Sequence, residues 1–184
     1  MSGWHNINTI GSRKYRCGYC GFNVANDKGF FHNDGVRHIY VCPQCDMPTY
    51  FAGSSLQIPG VAPGEEVAHL PEPLDKLYRE ARNACAVGAY TASVLASRKM
   101  LMNIAVAQGA SEGLKFVEYV EYLASNGFVP PNGRGWVDHI RKKGNEATHE
   151  IALMVQADAE ELIAFLEMLL KFIYEFPARV PTAP

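Results

Sequence analysis

The chain of 184 residues contains no apolar run near the ~20 residues needed to cross a bilayer, which excludes a spanning helix. Its opening residues, Met-Ser-Gly-Trp-His-Asn, lack the basic-then-apolar pattern of a secretion signal. These two absences lead us to expect a cytoplasmic protein with no membrane partner. A glycine-rich phosphate loop, a paired-carboxylate site and a Ser or Cys nucleophile motif are also lacking. Nucleotide-dependent and covalent mechanisms therefore have no support in the sequence. Internal repeats and low-complexity segments are missing too. Net charge is small, 17 Lys and Arg against 19 Asp and Glu, for a formal −2. Residues 1–55 carry five of those cations against three acids, and residues 56–184 carry twelve against sixteen. The front of the chain is thus only slightly biased toward anions.

Apolar residues make up 48%, enough for a packed core and too many for wholesale disorder. The length suits one ordinary domain plus a small module. Cysteine is sparse but patterned. Four of the five cysteines form two close pairs, Cys17-Gly-Tyr-Cys20 and Cys42-Pro-Gln-Cys45, with 21 residues between them. In a reducing compartment such pairs point to metal rather than to disulfides. A Cys-x-x-Cys turn presents two thiolates to one ion at ~2.3 Å, and two such turns complete a closed tetrahedral site. Gly18, Gly21 and Pro43 are residues that these turns favour. We read the metal as a structural Zn2+ held by Cys17, Cys20, Cys42 and Cys45. A redox dithiol and an iron–sulfur cluster are the alternatives.

Between the pairs, Gly29-Phe-Phe-His and Val36-Arg-His-Ile-Tyr-Val read as strands around a turn at Asn33-Asp34-Gly35. Residues 1–55 are accordingly expected to form a small β zinc ribbon. Its basic and aromatic side chains interleave: Tyr15, Arg16, Tyr19, Lys28, Phe30, Phe31, Arg37, His38 and Tyr40. Such a mixture can stack bases and neutralise phosphates, or can cover the ribbon's own sheet. Arg16, Tyr19 and Arg37 are candidate nucleic-acid contacts.

Residues 56–72 read as a Pro/Gly-rich linker that excludes a long helix or a central strand. From residue 73 the period becomes helical. Leu74, Leu77, Tyr78, Ala81 and Cys85 mark a first helix opened by Pro73 and closed by Gly88, with Cys85 as a small buried hydrophobe. A second helix spans about 90–107 and closes at Gly109. A third covers about 112–125, with Phe116, Tyr119, Val120 and Leu123 inward and a stop at Asn126-Gly127. Trp136, Val137 and Ile140 form the stripe of a fourth. Asp158-x-x-Glu161 resembles a capping box for a fifth that runs to about Phe176. Residues 73–176 are thus expected as an all-α bundle of about five helices, and 177–184 as a flexible tail.

If the fourth helix runs on through Glu150, Arg141, Asn145 and His149 share one face. Three polar groups in a row build a core poorly, because each costs free energy if buried unpaired. They form either a solvated or satisfied structural row, or a site facing a ligand, partner or second copy. Arg98 on the second helix joins that row only if the two helices face one another. Lys142 and Lys143 extend the one basic concentration of the helical part. They read as a solvated face or as a phosphate-facing patch.

The segments Tyr78-Arg-Glu-Ala, Gly88-Ala-Tyr-Thr-Ala, Arg98-Lys-Met-Leu101 and Ile140-Arg-Lys-Lys-Gly-Asn-Glu-Ala-Thr-His149 resemble the domain-of-unknown-function 4145 family over about residues 70–176. That family is grouped with the HEPN helical bundles, and a front zinc ribbon is a common companion. The resemblance implies a HEPN-like fold, a homodimer and a role in prokaryotic defence or regulation involving RNA, DNA or a partner protein. Catalytic HEPN domains are metal-independent ribonucleases with an arginine, a polar residue and a histidine. Here Asn145 and His149 match, Gly144 takes the arginine slot, and Met102 stands where an acid is expected. The expected function is a nucleic-acid- or partner-binding module. The alternatives are an endoribonuclease using His149 with Arg141 or Arg98, and a purely structural or interaction protein.

Overall fold

Strand formation follows the local chemistry at the front of the chain. Arg37-His-Ile-Tyr-Val41 is rich in β-branched and aromatic residues and forms strand β3 (Arg37–Val41). It pairs with β2 (Asn23–Phe31) through the expected turn, where Gly35 has φ +68° and its N–H donates to the His32 carbonyl at 3.1 Å. Asp34 Oδ1 accepts from the N–H groups of Val36 and Arg37 at 2.9 and 3.0 Å, which pins the turn. These bonds, with the Arg37 guanidinium, hold the Asp34 carboxyl well below the usual carboxylate range.

The computed structural model describes residues 3–133, 135–140 and 153–180. It divides into two units, Met1–Ala62 and Pro63–Pro184. In the first unit, β1 (Asn8–Arg16), β4 (Pro48–Ala52) and β5 (Leu56–Ile58) join the hairpin. The five strands form one antiparallel sheet in chain order, β1-β2-β3-β4-β5. Register across its middle runs Gly29↔Tyr40↔Thr49 and Phe30↔Ile39↔Tyr50↔Ile58. β5 falls inside the stretch expected to be a linker. It is a three-residue edge strand, and the cis Ile58–Pro59 bond follows at its end. Edge placement is what a proline-rich segment tolerates.

The second unit is helical: α1 (Glu72–Ala86), α2 (Tyr90–Ala107), α3 (Phe116–Ser125), α4 (residues 135–140), α5 (Gln156–Leu170) and α6 (Phe176–Arg179). A π-helical turn, Lys171–Glu175, joins α5 to α6. Glu72 and Asp75 in the first turn of α1 favour the positive end of its dipole, and Pro73 loses no hydrogen bond there. Helices α1, α2 and α3 stop at Gly88, Gly109 and Gly127, whose φ values of +81°, +101° and +81° lie in the left-handed region. α2 packs against α1, α3 and α5, and α1 also meets α5. Leu101, Ile104, Val120, Leu123, Phe165 and Leu166 are fully buried in this core. Val137 and Ile140 of α4 are buried as their spacing predicts, and Trp136 meets Phe165 edge-on at 5.2 Å.

Three boundaries differ from the sequence reading. α3 begins at Phe116 rather than near 112, because Gly113 sits at φ +80° and the Lys115 N–H is capped by Glu118 Oε2 at 2.6 Å. Asp158 does not start α5. It is the third helical residue, and its Oδ2 accepts from the Val155 N–H at 3.1 Å. Residues 177–179, read as tail, continue in α6, where Pro177 stands near the helix start and needs no donor.

Residues 63–68 are not a loose tether. Arg82, buried in α1, donates to the carbonyls of Pro63 and Gly64, each at 2.8 Å. Tyr78 donates to the Glu65 carbonyl at 3.0 Å. Glu167 and Glu175 accept from the N–H groups of Glu65 and Ala68 at 2.9 and 3.0 Å. Val67 is buried in the helical core. The π-turn advances less per residue than an α-turn, so Glu175 comes closer to lying beneath Glu167.

Candidate metal centre

Each cysteine pair occupies a turn of the same construction. In the first, Gly21 N–H donates to the Cys17 carbonyl and Cys17 N–H to the Phe22 carbonyl, both at 2.9 Å. In the second, Asp46 N–H donates to the Cys42 carbonyl and Cys42 N–H to the Met47 carbonyl, again at 2.9 Å. The residue after each second cysteine is left-handed: Gly21 at φ +72° and Asp46 at φ +58°. Aspartate is one of the few side chains that tolerates this region. In the sequence the two turns read Cys-x-x-Cys-Gly and Cys-x-x-Cys-Asp, and matching them position by position is the signal that marks Asp46.

The four sulfurs lie within 4.8 Å of one another, with Cys17–Cys45 and Cys20–Cys42 separations of 3.8 Å. A disulfide requires about 2.05 Å, so these are free thiols. A tetrahedron with metal–sulfur bonds of ~2.3 Å has edges of about 3.8 Å, so the cluster fits one four-coordinate ion. The donor set is soft, and as thiolates, the form that ligates a metal, it would carry negative charge for a cation to offset. Burial raises the Cys45 thiol to about 12 and pushes that of Cys20 upward. Burial acts the same way on Cys17, but hydrogen bonds from the Cys20 and Tyr19 N–H groups and from the Cys42 and Cys20 thiols together outweigh it and leave this thiol below its ordinary value. The Tyr19 N–H lies 3.4 Å from the Cys17 sulfur.

The sheet braces both turns. A Cβ on Gly18 would stand 2.4 Å from the carbonyl oxygens of Pro59 and Gly60, so only glycine fits between Cys17 and Tyr19. Gln57 holds the same segment by donating to the carbonyls of Arg16 and Pro59 at 2.8 and 3.2 Å. Trp4 Nε1 donates to the Asp46 carbonyl at 2.9 Å. Gln57 and Trp4 carried no motif that would have flagged them. Their role comes from long-range placement. Cys17 and Cys42 also join Tyr15, Tyr40 and Phe51 in the ribbon's core.

The interleaved basic and aromatic residues separate into different roles. Tyr15, Tyr40 and Phe51 pack against one another, with ring centroids 5.1 to 6.1 Å apart, so Tyr15 and Tyr40 are core and not surface. Tyr19 is half exposed beside the first cysteine turn, where Arg16 Nε donates to the Gly21 carbonyl at 2.8 Å. Arg37 stands at the far end of β3, on Asp34 and beside His32. Arg16 and Tyr19 on one side and Arg37 on the other therefore do not form a single patch.

In the helical unit, Cys85 is buried in the apolar core as its spacing implies. Arg98 is half-buried, with its guanidinium 4.2 Å from the Phe116 ring centroid, and it lines a small cavity with Ile140, Asp158 and Glu161. Desolvation lowers its pKa. α2 thus faces the described part of α4. Arg141, Asn145 and His149, together with Lys142, Lys143 and Gly144, lie outside the described residues. Among the described residues no helix is long and apolar enough to cross a membrane.

A four-cysteine cluster on an antiparallel sheet, followed by a helical bundle, fits a zinc-ribbon-type module joined to a HEPN-like domain. The family described as Domain of unknown function (DUF4145) matches residues 79–183, more than half of the chain, and the protein belongs to that family. No curated protein and no solved structure matches the chain significantly.

Proposed function

We propose that the protein is a cytoplasmic zinc-ribbon/HEPN-like module that pairs with a second copy and engages nucleic acid or a partner protein, in prokaryotic defence or regulation. The observation that carries this reading is the four-sulfur cluster. An ion bound by four thiolates has no open position for substrate or water, so the ribbon acts by presenting a surface. Zinc is the metal that soft tetrahedral donors and a scaffolding role favour. Arg16 and Tyr19 beside the first turn are one cationic–aromatic contact on offer, and Arg37 at the far end of the sheet is another.

The test is anisotropy of labelled RNA and DNA with the full chain. The expected result is binding that weakens by about tenfold or more between ~50 and ~200 mM salt, as phosphate contacts release counterions. No binding at the lower salt removes the nucleic-acid reading and leaves the protein partner. A second reading, a metal-independent endoribonuclease using His149 with Arg141 or Arg98, is supported by Arg98 and Ile140 lining one cavity. Cleavage of labelled RNA in chelator by the wild type but not by His149→Ala would establish it. Equal cleavage by both, or by neither, removes it.

A further inference from the structure

The ribbon's sheet uses its two faces unequally. Along β3 and β4, neighbouring side chains point to opposite sides. Tyr40 and Phe51 turn inward and are 5% and 2% exposed. The residues beside them, Ile39 and Tyr50, turn the other way. They line up across the strands with Phe30 and Ile58 in the register Phe30↔Ile39↔Tyr50↔Ile58. Trp4 extends the row, its ring 6.1 Å from that of Phe30. None of the five is sealed: Phe30, Ile39 and Tyr50 are half-buried, and Trp4 and Ile58 are 37% and 50% exposed. Because the inner face supplies the core, the ribbon does not need these aromatics to hold its own sheet.

We propose that the row from Trp4 through Phe30 and Tyr50 is a stacking platform for the bases of a single-stranded nucleic acid, with Arg37 and Lys28 beside it taking phosphates. This rests on the nucleic-acid reading above and locates its site on the open sheet face rather than at the first cysteine turn. Charge argues for an anionic occupant. The row itself carries no carboxylate, and the unit has five Lys and Arg against three Asp, of which Asp34 pairs with Arg37 at 2.5 Å and Asp27 lies 3.9 Å from Lys28. Arg37 and Lys28 are two residues from Ile39 and Phe30 and so share their face. Asp34 holds the Arg37 Nε edge, which orients the guanidinium beside the groove lined by Phe30, Ile39 and Tyr50. Strands are ~4.8 Å apart, so Phe30 and Tyr50, with β3 between them, are about 10 Å apart. With Trp4 the aromatic span suits two or three splayed bases, the number that aromatic sheet platforms stack. Paired bases in a duplex keep their faces covered, so the platform discriminates for single strands.

The experiment uses the full metal-loaded chain and a labelled 12-nucleotide oligo-U, with an RNA duplex of equal length as competitor. Phe30→Leu/Tyr50→Leu keeps apolar cover but removes two π-faces. Retained metal content and melting temperature confirm that it folds. The expected loss of affinity is about tenfold or more, against little change for Phe172→Leu, which removes an exposed aromatic of the helical unit. In a Trp136→Phe background Trp4 is the remaining tryptophan, and oligo-U should quench its emission. Binding that survives the double leucine variant, or a duplex that competes as well as the single strand, overturns the platform while leaving nucleic-acid engagement standing. A dimer seen in sedimentation that the double variant dissociates shows that a second copy covers the row, and also overturns it. Absence of any nucleic-acid binding removes both readings.

Discussion

The two units are held together by different forces. Among the described residues, the ribbon's buried apolar cluster is five residues, two of them cysteines, whereas that of the helical unit is twenty-five. At ~25 cal/mol per Å² of apolar surface, the helical cluster can offset its own chain entropy. The ribbon's three aromatics cannot, and a metal ion at the four thiols would supply the difference. Both units expose large apolar side chains, Tyr19, Phe22 and Phe31 in the ribbon and Leu95, Phe172 and Phe176 in the helical unit, so the contrast lies in what each one buries.

Metal removal should break the comparison most sharply. Structural zinc in small modules contributes on the order of 10 kcal/mol. Chelation, or Cys42→Ser, is therefore expected to abolish the ribbon's strand signal in circular dichroism while a helical transition persists. Loss of both together would show that the helical unit depends on the ribbon. Next in size, Leu166→Ala removes a fully buried side chain from the helical core and should cost about 2–5 kcal/mol in denaturant unfolding. Metal stoichiometry should not change. The smallest effect concerns Glu167. Burial alone would raise its carboxyl, but Lys171 and the Glu65 N–H outweigh this and leave it below its ordinary value. Its contribution is thus present above the unfolded value of ~4.3 and is lost as pH falls through the lower folded value. Glu167→Gln should lower the melting temperature slightly at neutral pH and flatten its decline on acidification.

Much of this architecture could be read locally. The two Cys-x-x-Cys turns, the Asn33-Asp34-Gly35 hairpin and the glycine stops at Gly88, Gly109 and Gly127 each rest on a few adjacent residues. The helical stripes were legible for the same reason, since a period near 3.6 is a short-range property. β1 was not legible: Asn8–Arg16 is largely polar, includes Gly11 and is interrupted by a bulge between Thr9 and Arg13. Pairing with β2 makes it a strand. β5 and the 63–68 strap looked like linker for the same reason, because their partners lie far along the chain. Arg82, Glu167 and Glu175 gave no sign of grasping a backbone 18 to 107 residues away. The division of the ribbon's aromatics was equally hidden. Tyr40 and Ile39 are neighbours in sequence, and only the register decides which one faces the core.

By itself the sequence determined that four thiols could share one ion and that an α-helical domain of this family follows, because ligand spacing and helical period are written in consecutive residues. The tertiary structure alone decided which side chains are sealed, which carbonyls press on Gly18 and which aromatic row is left open. Those outcomes depend on contacts between segments tens of residues apart, and chain closure over such distances leaves no local trace.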